Sequence, residues 1–231
     1  MDDKSKYDAL KKRSSYHFDP FDHNPAHDTM RYVGRFEGDW SAELKQTQER
    51  SKEVTWRTRN PNDKSKYTKE GRSVDIEAEE RDIERVGGDP THPIGNMDYE
   101  LLPVFQRMAD SLHLTAGERE IQARVHVQWP TQVWTKHIDA VQRWAPNNID
   151  SVYRFFVMLE DWQPGHFMQF GNHFLARYKA GEIYTFDWYN VPHCTANASL
   201  EPRPILNIIG GLTDKSREFL AHAREQKSIV I

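Results

Sequence analysis

Cysteine is almost missing from this chain: Cys194 is the only one among 231 residues. That excludes an intramolecular disulfide and a zinc site built from several thiolates. Long apolar runs are missing as well, none approaching the roughly 20 residues that span a bilayer, so no membrane partner is expected. An excess of charge of one sign is also absent. The 31 basic residues against 35 acidic give a formal net charge of −4, so no strong field draws the whole chain to nucleic acid or an anionic surface. A local basic groove could still hide inside that balanced total, but no basic stretch with interleaved aromatics marks a nucleic-acid partner. The opening stretch, MDDKSKYDALKKRSS, carries no apolar segment of the secretory kind, and a reducing, cytoplasmic setting is the expectation.

What is there changes along the chain. Residues 1–35 are polar and rich in His, Asp and Pro, and read as an arm or lid; Tyr16, Phe18 and Phe21 are among its aromatic side chains. Residues 36–231 read as one domain. Its portion 36–120 is highly charged, with an exposed loop in NPNDKSKYTKEG and a short helix in SVDIEAEERDIERV. Leu101, Leu102, Phe105, Met108 and Leu112 recur at helical spacing, with Asp98 as N-cap and Pro103 in the first turns. From 121 to 213 the pattern becomes strand-like. In IQARVHVQW, Ile121, Ala123, Val125 and Val127 share one face, and Gln122, Arg124, His126 and Gln128 share the other. TQVWTKHID, SVYRFFVMLEDW, HFMQF, HFLARY, EIYTFDW and PILNIIGGL follow as short strands, separated by turn signals such as QPG and KAGE. This spacing predicts a mostly β protein with a helical buttress, a jelly-roll core and a C-terminal helix over 214–231.

Within TKHIDA, His137 and Asp139 flank a single residue, so on a strand both side chains face the same way. His193 comes 56 residues later, a length that allows about four short strands to return the chain beside the first pair. Two imidazoles and one carboxylate on one face of a metal leave positions open, the arrangement of non-heme Fe(II) oxygenases. Ten residues after His193 comes Arg203, whose guanidinium can grip a carboxylate through two parallel hydrogen bonds.

The order His137-x-Asp139, His193, Arg203 resembles the Fe(II)/2-oxoglutarate-dependent dioxygenases over about residues 121–213. KAGEIYTFDWYNVPHCTANASLEPRPILNIIGG is similar to the back half of their double-stranded β-helix, and also to the aspartyl/asparaginyl β-hydroxylase branch. That branch tends to lack the equivalent of Asp139. The resemblance implies Fe(II) held by His137, Asp139 and His193, with 2-oxoglutarate chelating the iron and its C5 carboxylate on Arg203. It also implies consumption of dioxygen, release of succinate and carbon dioxide, and oxidation of a C–H bond. A carboxylate at 139 favours hydroxylation over halogenation. Ile205 stands where the family often has serine, so a second contact to the C5 carboxylate has to come from elsewhere; Tyr153, Thr195 and Ser199 are candidates.

Other residues have two readings each. Arg154 and Gln169 are polar residues in apolar strands, either reaching into the cavity to grip cosubstrate or substrate, or facing solvent. Trp134, His166 and Trp188 are candidates for the substrate pocket or for packing. His17, His23 and His27 cluster in the arm, where solvated loop histidines are the simpler account, and Cys194 reads as a small buried residue. Two functions remain open: an oxygenase acting on a peptide side chain or small metabolite, and a non-redox metal-binding cupin. Arg203 separates them, since a simple cupin site has no need of an arginine one strand past the distal histidine.

Overall fold

The computed structural model describes residues 29–52, 95–98, 100–116, 121–139, 147–148 and 151–226. The elements in chain order are β1 (Met30–Arg35), α1 (Ser41–Ser51), β2 (Asn96–Asp98), α2 (Pro103–Ser111), β3 (Gln122–Gln128), β4 (Val133–His137) and β5 (Val152–Met158). They continue with β6 (His166–Phe170), β7 (His173–Phe174), β8 (Glu182–Phe186), β9 (His193–Asn197), β10 (Arg203–Gly211), α3 (Asp214–Ala221) and β11 (Arg224–Gln226).

A major sheet orders its strands β11-β1-β8-β5-β10-β3-β2, a minor sheet β4-β9-β6-β7, and every pairing is antiparallel. From β3 to β10 the chain passes from one sheet to the other at nearly every connection. That alternation is a double-stranded β-helix, the expected jelly roll of the cupin type.

Period-2 patterning decides which face meets what. On β5, Phe155 and Val157 point outward with Val125, Val127, Leu206 and Ile208 from β3 and β10, and the helices cover them with Leu44, Phe105 and Met108. This is the helical buttress. Phe156 and Met158 point inward, meeting Met168 and Phe170 of the minor sheet. On β3 the apolar face is taken by the helices, so the polar face of Gln122, Arg124, His126 and Gln128 is left for the interior. A strand that sends its polar side chains inward has to line a site, because buried polar groups need partners.

Several boundaries differ from the sequence expectation. Residues 30–35, placed at the end of the arm, are instead a full strand of the major sheet. Asp98 does not cap α2; it ends β2 and pairs with Arg50. Leu102 is the N-cap and Pro103 the first helical residue, where its missing N–H has no helical partner to lose. The terminal helix stops at Ala221, and Arg224–Gln226 returns as β11 against β1. HFLARY gives only the two-residue β7, whereas His193–Asn197, outside the strands expected from the sequence, is a strand. The turn before β8 needs its glycine: Gly181 has φ +86°, and a Cβ there would lie 2.0 Å from the Phe36 carbonyl oxygen. Tyr16, Phe18, Phe21, the arm histidines, NPNDKSKYTKEG and SVDIEAEERDIERV lie outside the described residues.

Candidate functional site

β4 and β9 are not in simple register. Trp134 pairs with Thr195 and His137 with His193, so β4 carries one extra residue between them. This bulge turns His137, rather than Lys136, to the face that His193 occupies, and puts Trp134 on that face too. The two rings stack, with centroids 5.0 Å apart and planes 9° apart, which fixes the His137 imidazole. Asp139 lies just beyond the strand end, yet its carboxylate reaches both histidines: Oδ1 is 3.5 Å from His137 Nε2, and Oδ2 is 3.5 Å from His193 Nε2. One ligand atom from each residue falls within 4.8 Å of the others. Metal bonds of about 2.1 Å on one face set ligand atoms about 3 Å apart, so a small contraction closes the group on an ion.

The His193 ring is held in one tautomer. Its Nδ1–H donates to the Val191 carbonyl at 3.0 Å, leaving Nε2 with its lone pair toward the cluster. Burial first, then His137, push the His193 pKa down to about 3, so this imidazole is neutral at neutral pH. Burial would raise the Asp139 carboxyl, but the Arg154 guanidinium, helped by His193 and His137, outweighs it and holds the group well below the ordinary range. The cluster thus presents neutral nitrogen and ionised oxygen, the forms a metal binds.

Arg154 takes the inward of its two readings and lines the same cavity as the cluster. It rises from β5 beside the cluster, with Nη1 donating to Asp139 Oδ2 and Nε to Asn207 Oδ1 at 3.2 Å. Its guanidinium carbon sits 5.9 Å over the Trp188 ring, and that indole donates to the Val152 carbonyl at 3.2 Å. Trp188 is a buried support for Arg154 and not a wall of the cavity. Gln169 departs from the cosubstrate role expected of it: on β6 the inward residues are His166, Met168 and Phe170, and Gln169 faces outward beside Cys194. His166 is inward but already engaged, with Tyr178 Oη at 3.2 Å and the Glu201 carbonyl at 3.3 Å.

Arg203 opens β10 at the other end of the same cavity and is 1% exposed. Its Nη2 donates to Gln128 Oε1, while Nε and Nη1 have no partner. Burial lowers its pKa to about 10, which still leaves a cation at neutral pH. Among the described residues no carboxylate contacts it; Tyr178 is near, and burial pushes that phenol up to about 12, so it is neutral. Gln128 is fully buried and donates through Nε2 to Thr195 Oγ1 at 3.2 Å. Of the three candidates for a second carboxylate contact, only Thr195 lines the cavity; Ser199 hydrogen-bonds Asn197, and Tyr153 packs on the outer core.

Gln128 and Asn207 were missed as site residues. The signal for Asn207 was a lone amide in the apolar run PILNIIGG; for Gln128 it was the polar face of β3. Between the two ends, Phe156, Phe170 and Phe186 form an aromatic wall, with Phe170–Phe186 centroids 4.7 Å apart and Phe186 4.8 Å from His193. The open room they leave is about 40 Å³, enough for a few waters.

Neither a family model nor a curated protein matches the chain. Among solved structures it is similar to the non-heme alpha ketoglutarate dependent epimerase SnoN from nogalamycin biosynthesis, at 11% identity and TM-score 0.47, over 90% of this chain and 83% of that one. It is similar to AviO1 from Streptomyces viridochromogenes, at 16% identity and TM-score 0.42, over 90% and 96% of the two chains. A cupin 2 conserved barrel domain protein from Salinispora arenicola aligns at 8% identity and TM-score 0.31, over 55% and 83%. Likenesses this distant carry no chemistry to the present chain, whose site has to speak for itself. No helix among the described residues is long and apolar enough to cross a membrane.

Proposed function

We propose that this chain is an Fe(II)- and 2-oxoglutarate-dependent oxygenase that hydroxylates an unactivated C–H bond of a peptide side chain or small metabolite. One observation carries the reading. Arg203, a fully buried guanidinium without an acidic partner among the described residues, faces a His137–Asp139–His193 cluster across one cavity. A buried cation with two unpartnered N–H groups is costly, and an anion bound there relieves it. A diacid that also chelates a metal meets both ends at once.

The donor set suits the pair. Two imidazole nitrogens and one carboxylate suit Fe(II) and leave open positions. When bound, iron and 2-oxoglutarate would supply activation of dioxygen, with the oxo-acid converted to succinate and carbon dioxide. The protein's part is positioning. Arg203 would hold the C5 carboxylate, Gln128 keeps the guanidinium in plane, and Thr195 Oγ1 offers the further hydrogen bond. Trp134 and the Val191 carbonyl orient the two imidazoles. The phenylalanine wall excludes water from the reacting centre. A five-carbon diacid is larger than the present opening, so a side chain has to move. Arg154 crosses to Asp139, and an arriving metal would compete for that carboxylate.

Aerobic incubation with Fe(II) and 2-oxoglutarate tests the reading directly. Slow succinate formation, abolished by chelator and by His193→Ala, is the expected result. Metal binding without any metal-dependent succinate would instead indicate a non-redox metal protein.

A further inference from the structure

The charges around the cavity do not balance once its proposed ligands are placed. Among the described residues the ionic side chains on its wall are Arg154 and Arg203, and the carboxylate beside Arg154 is Asp139. A divalent ion and two guanidiniums bring four positive charges; Asp139 and a 2-oxoglutarate dianion cancel three. One positive charge stays over in a water-poor site, where it acts strongly. It belongs at Arg154, since Arg203 stands roughly 13 Å from Asn207 along β10, four residues at about 3.3 Å each.

The neighbourhood of Arg154 is already arranged as an anion seat. Asn207 is 2% exposed; its Oδ1 accepts from Arg154 Nε, and its Nδ2 faces the cavity with no partner. Arg154 sits diagonally across the β5–β10 ladder from it, where Phe156 pairs with Asn207 and Arg154 with Ile209. Arg154 Nε and Nη1 are taken by Asn207 and Asp139, so among the described residues its Nη2 edge and Asn207 Nδ2 are the donors that remain. Trp188 fixes the guanidinium from one side. Arg124, opposite Asn207 on β3, adds positive field: its charge is felt at both Arg154 and His126. Two preorganised donors and an uncompensated charge beside the metal cluster fit a carboxylate.

We propose that the primary substrate of this site carries a carboxylate, which is held by Arg154 and the side-chain amide of Asn207 while the C–H bond to be oxidised lies over the metal. The inference rests on the oxygenase reading. It narrows the substrate to organic acids, including amino acids and peptides with a free or side-chain carboxylate. It also separates two anion seats: Arg203 for the cosubstrate, Arg154 with Asn207 for the substrate.

The test uses Mn(II) in place of iron, so that no turnover occurs, with 2-oxoglutarate at saturation. Acetate is the probe and acetamide its uncharged match, both followed by Mn(II)-induced relaxation of their methyl protons. The parent should relax acetate saturably and bind acetamide at least tenfold more weakly. Arg154→Leu and Asn207→Asp should each weaken acetate at least tenfold more than they weaken 2-oxoglutarate, since both make the surroundings of the metal cluster less positive. Asn207→Asp is nearly isosteric and keeps the test available if Arg154→Leu fails to fold. Acetate binding that is absent in the parent, or indifferent to both variants, overturns the proposal. A loss of 2-oxoglutarate affinity in Asn207→Asp as large as its loss of acetate affinity also overturns it, by assigning the seat to the C1 carboxylate of the cosubstrate. A parent that binds Mn(II) but not 2-oxoglutarate overturns the oxygenase reading itself, which is a different result.

Discussion

Replacing Arg203 with methionine is expected to stabilise the ligand-free protein while removing its response to 2-oxoglutarate. The side chain is 1% exposed and two of its N–H donors have no partner. Its pKa falls from 12.5 to about 10 on burial, which corresponds to about 3 kcal/mol against the cation. Methionine fills much of the same space with apolar atoms and removes that cost. It also leaves Gln128 Oε1 without its donor, a loss of about 1–3 kcal/mol. The net gain is about 0–2 kcal/mol, or up to roughly 8 °C in Tm for a chain of this length. With metal present throughout, 2-oxoglutarate at a hundredfold over its Kd should add about 2.7 kcal/mol to the parent and nothing to the variant, so the order of stabilities reverses. Urea unfolding with and without both ligands reads both effects. A ligand-free Arg203→Met protein destabilised by more than about 1 kcal/mol would show that the guanidinium is compensated after all, and the reasoning would fail.

His137→Ala and His193→Ala should each lower metal affinity by 10-fold or more, since each removes one of three ligands; calorimetric titration with Mn(II) checks it, and unchanged affinity in either variant excludes that ligand. Gln128→Leu frees the Arg203 plane and should raise the Kd for 2-oxoglutarate on the order of tenfold, with metal affinity unchanged in the same titration. Metal-free protein should lose stability as pH falls below about 6.5. There the unfolded chain protonates histidines that buried His193, near 3, does not. The slope is about 1.4 kcal/mol per pH unit from this residue alone. The depressed Asp139 carboxyl adds its own loss only further down, below the unfolded value near 3.9. A flat urea midpoint from pH 7 to 4.5 would contradict both the burial and the sign. Phe105→Ala, at a fully buried position between α2 and the major sheet, should cost about 3–5 kcal/mol without altering metal binding.

The alternation in β3 and the helical spacing of Phe105 and Met108 were legible because burial on one face imposes a period. The order His137, Asp139, His193, Arg203 was legible for a similar reason: a jelly roll returns its strands at regular intervals. The bulge between Trp134 and His137 was not, because one extra residue in a strand leaves no mark on composition. Simple alternation would have sent Trp134 and Lys136, not His137, to the same face. Arg154 and Gln169 looked equivalent as polar residues in apolar strands. Only the pairing of β6 with β9 turns Gln169 outward, while the pairing of β5 with β10 brings Arg154 to Asn207 and Asp139. Side-chain destinations that depend on register lie beyond any single strand's pattern. β11 was hidden in the same way, since AREQK continues a helical composition and only the open edge of β1 makes it a strand.

Binding of 2-oxoglutarate as a function of bound metal tests the central claim most directly. With Mn(II) present, titration should give one 2-oxoglutarate per chain, with binding reduced at least tenfold when the metal is withheld. Arg203→Met and His193→Ala, at opposite ends of the cavity, should each remove it. Binding that is equally tight without metal, or that survives both substitutions, would contradict a single cavity in which Arg203 and the His137–Asp139–His193 cluster hold one ligand between them.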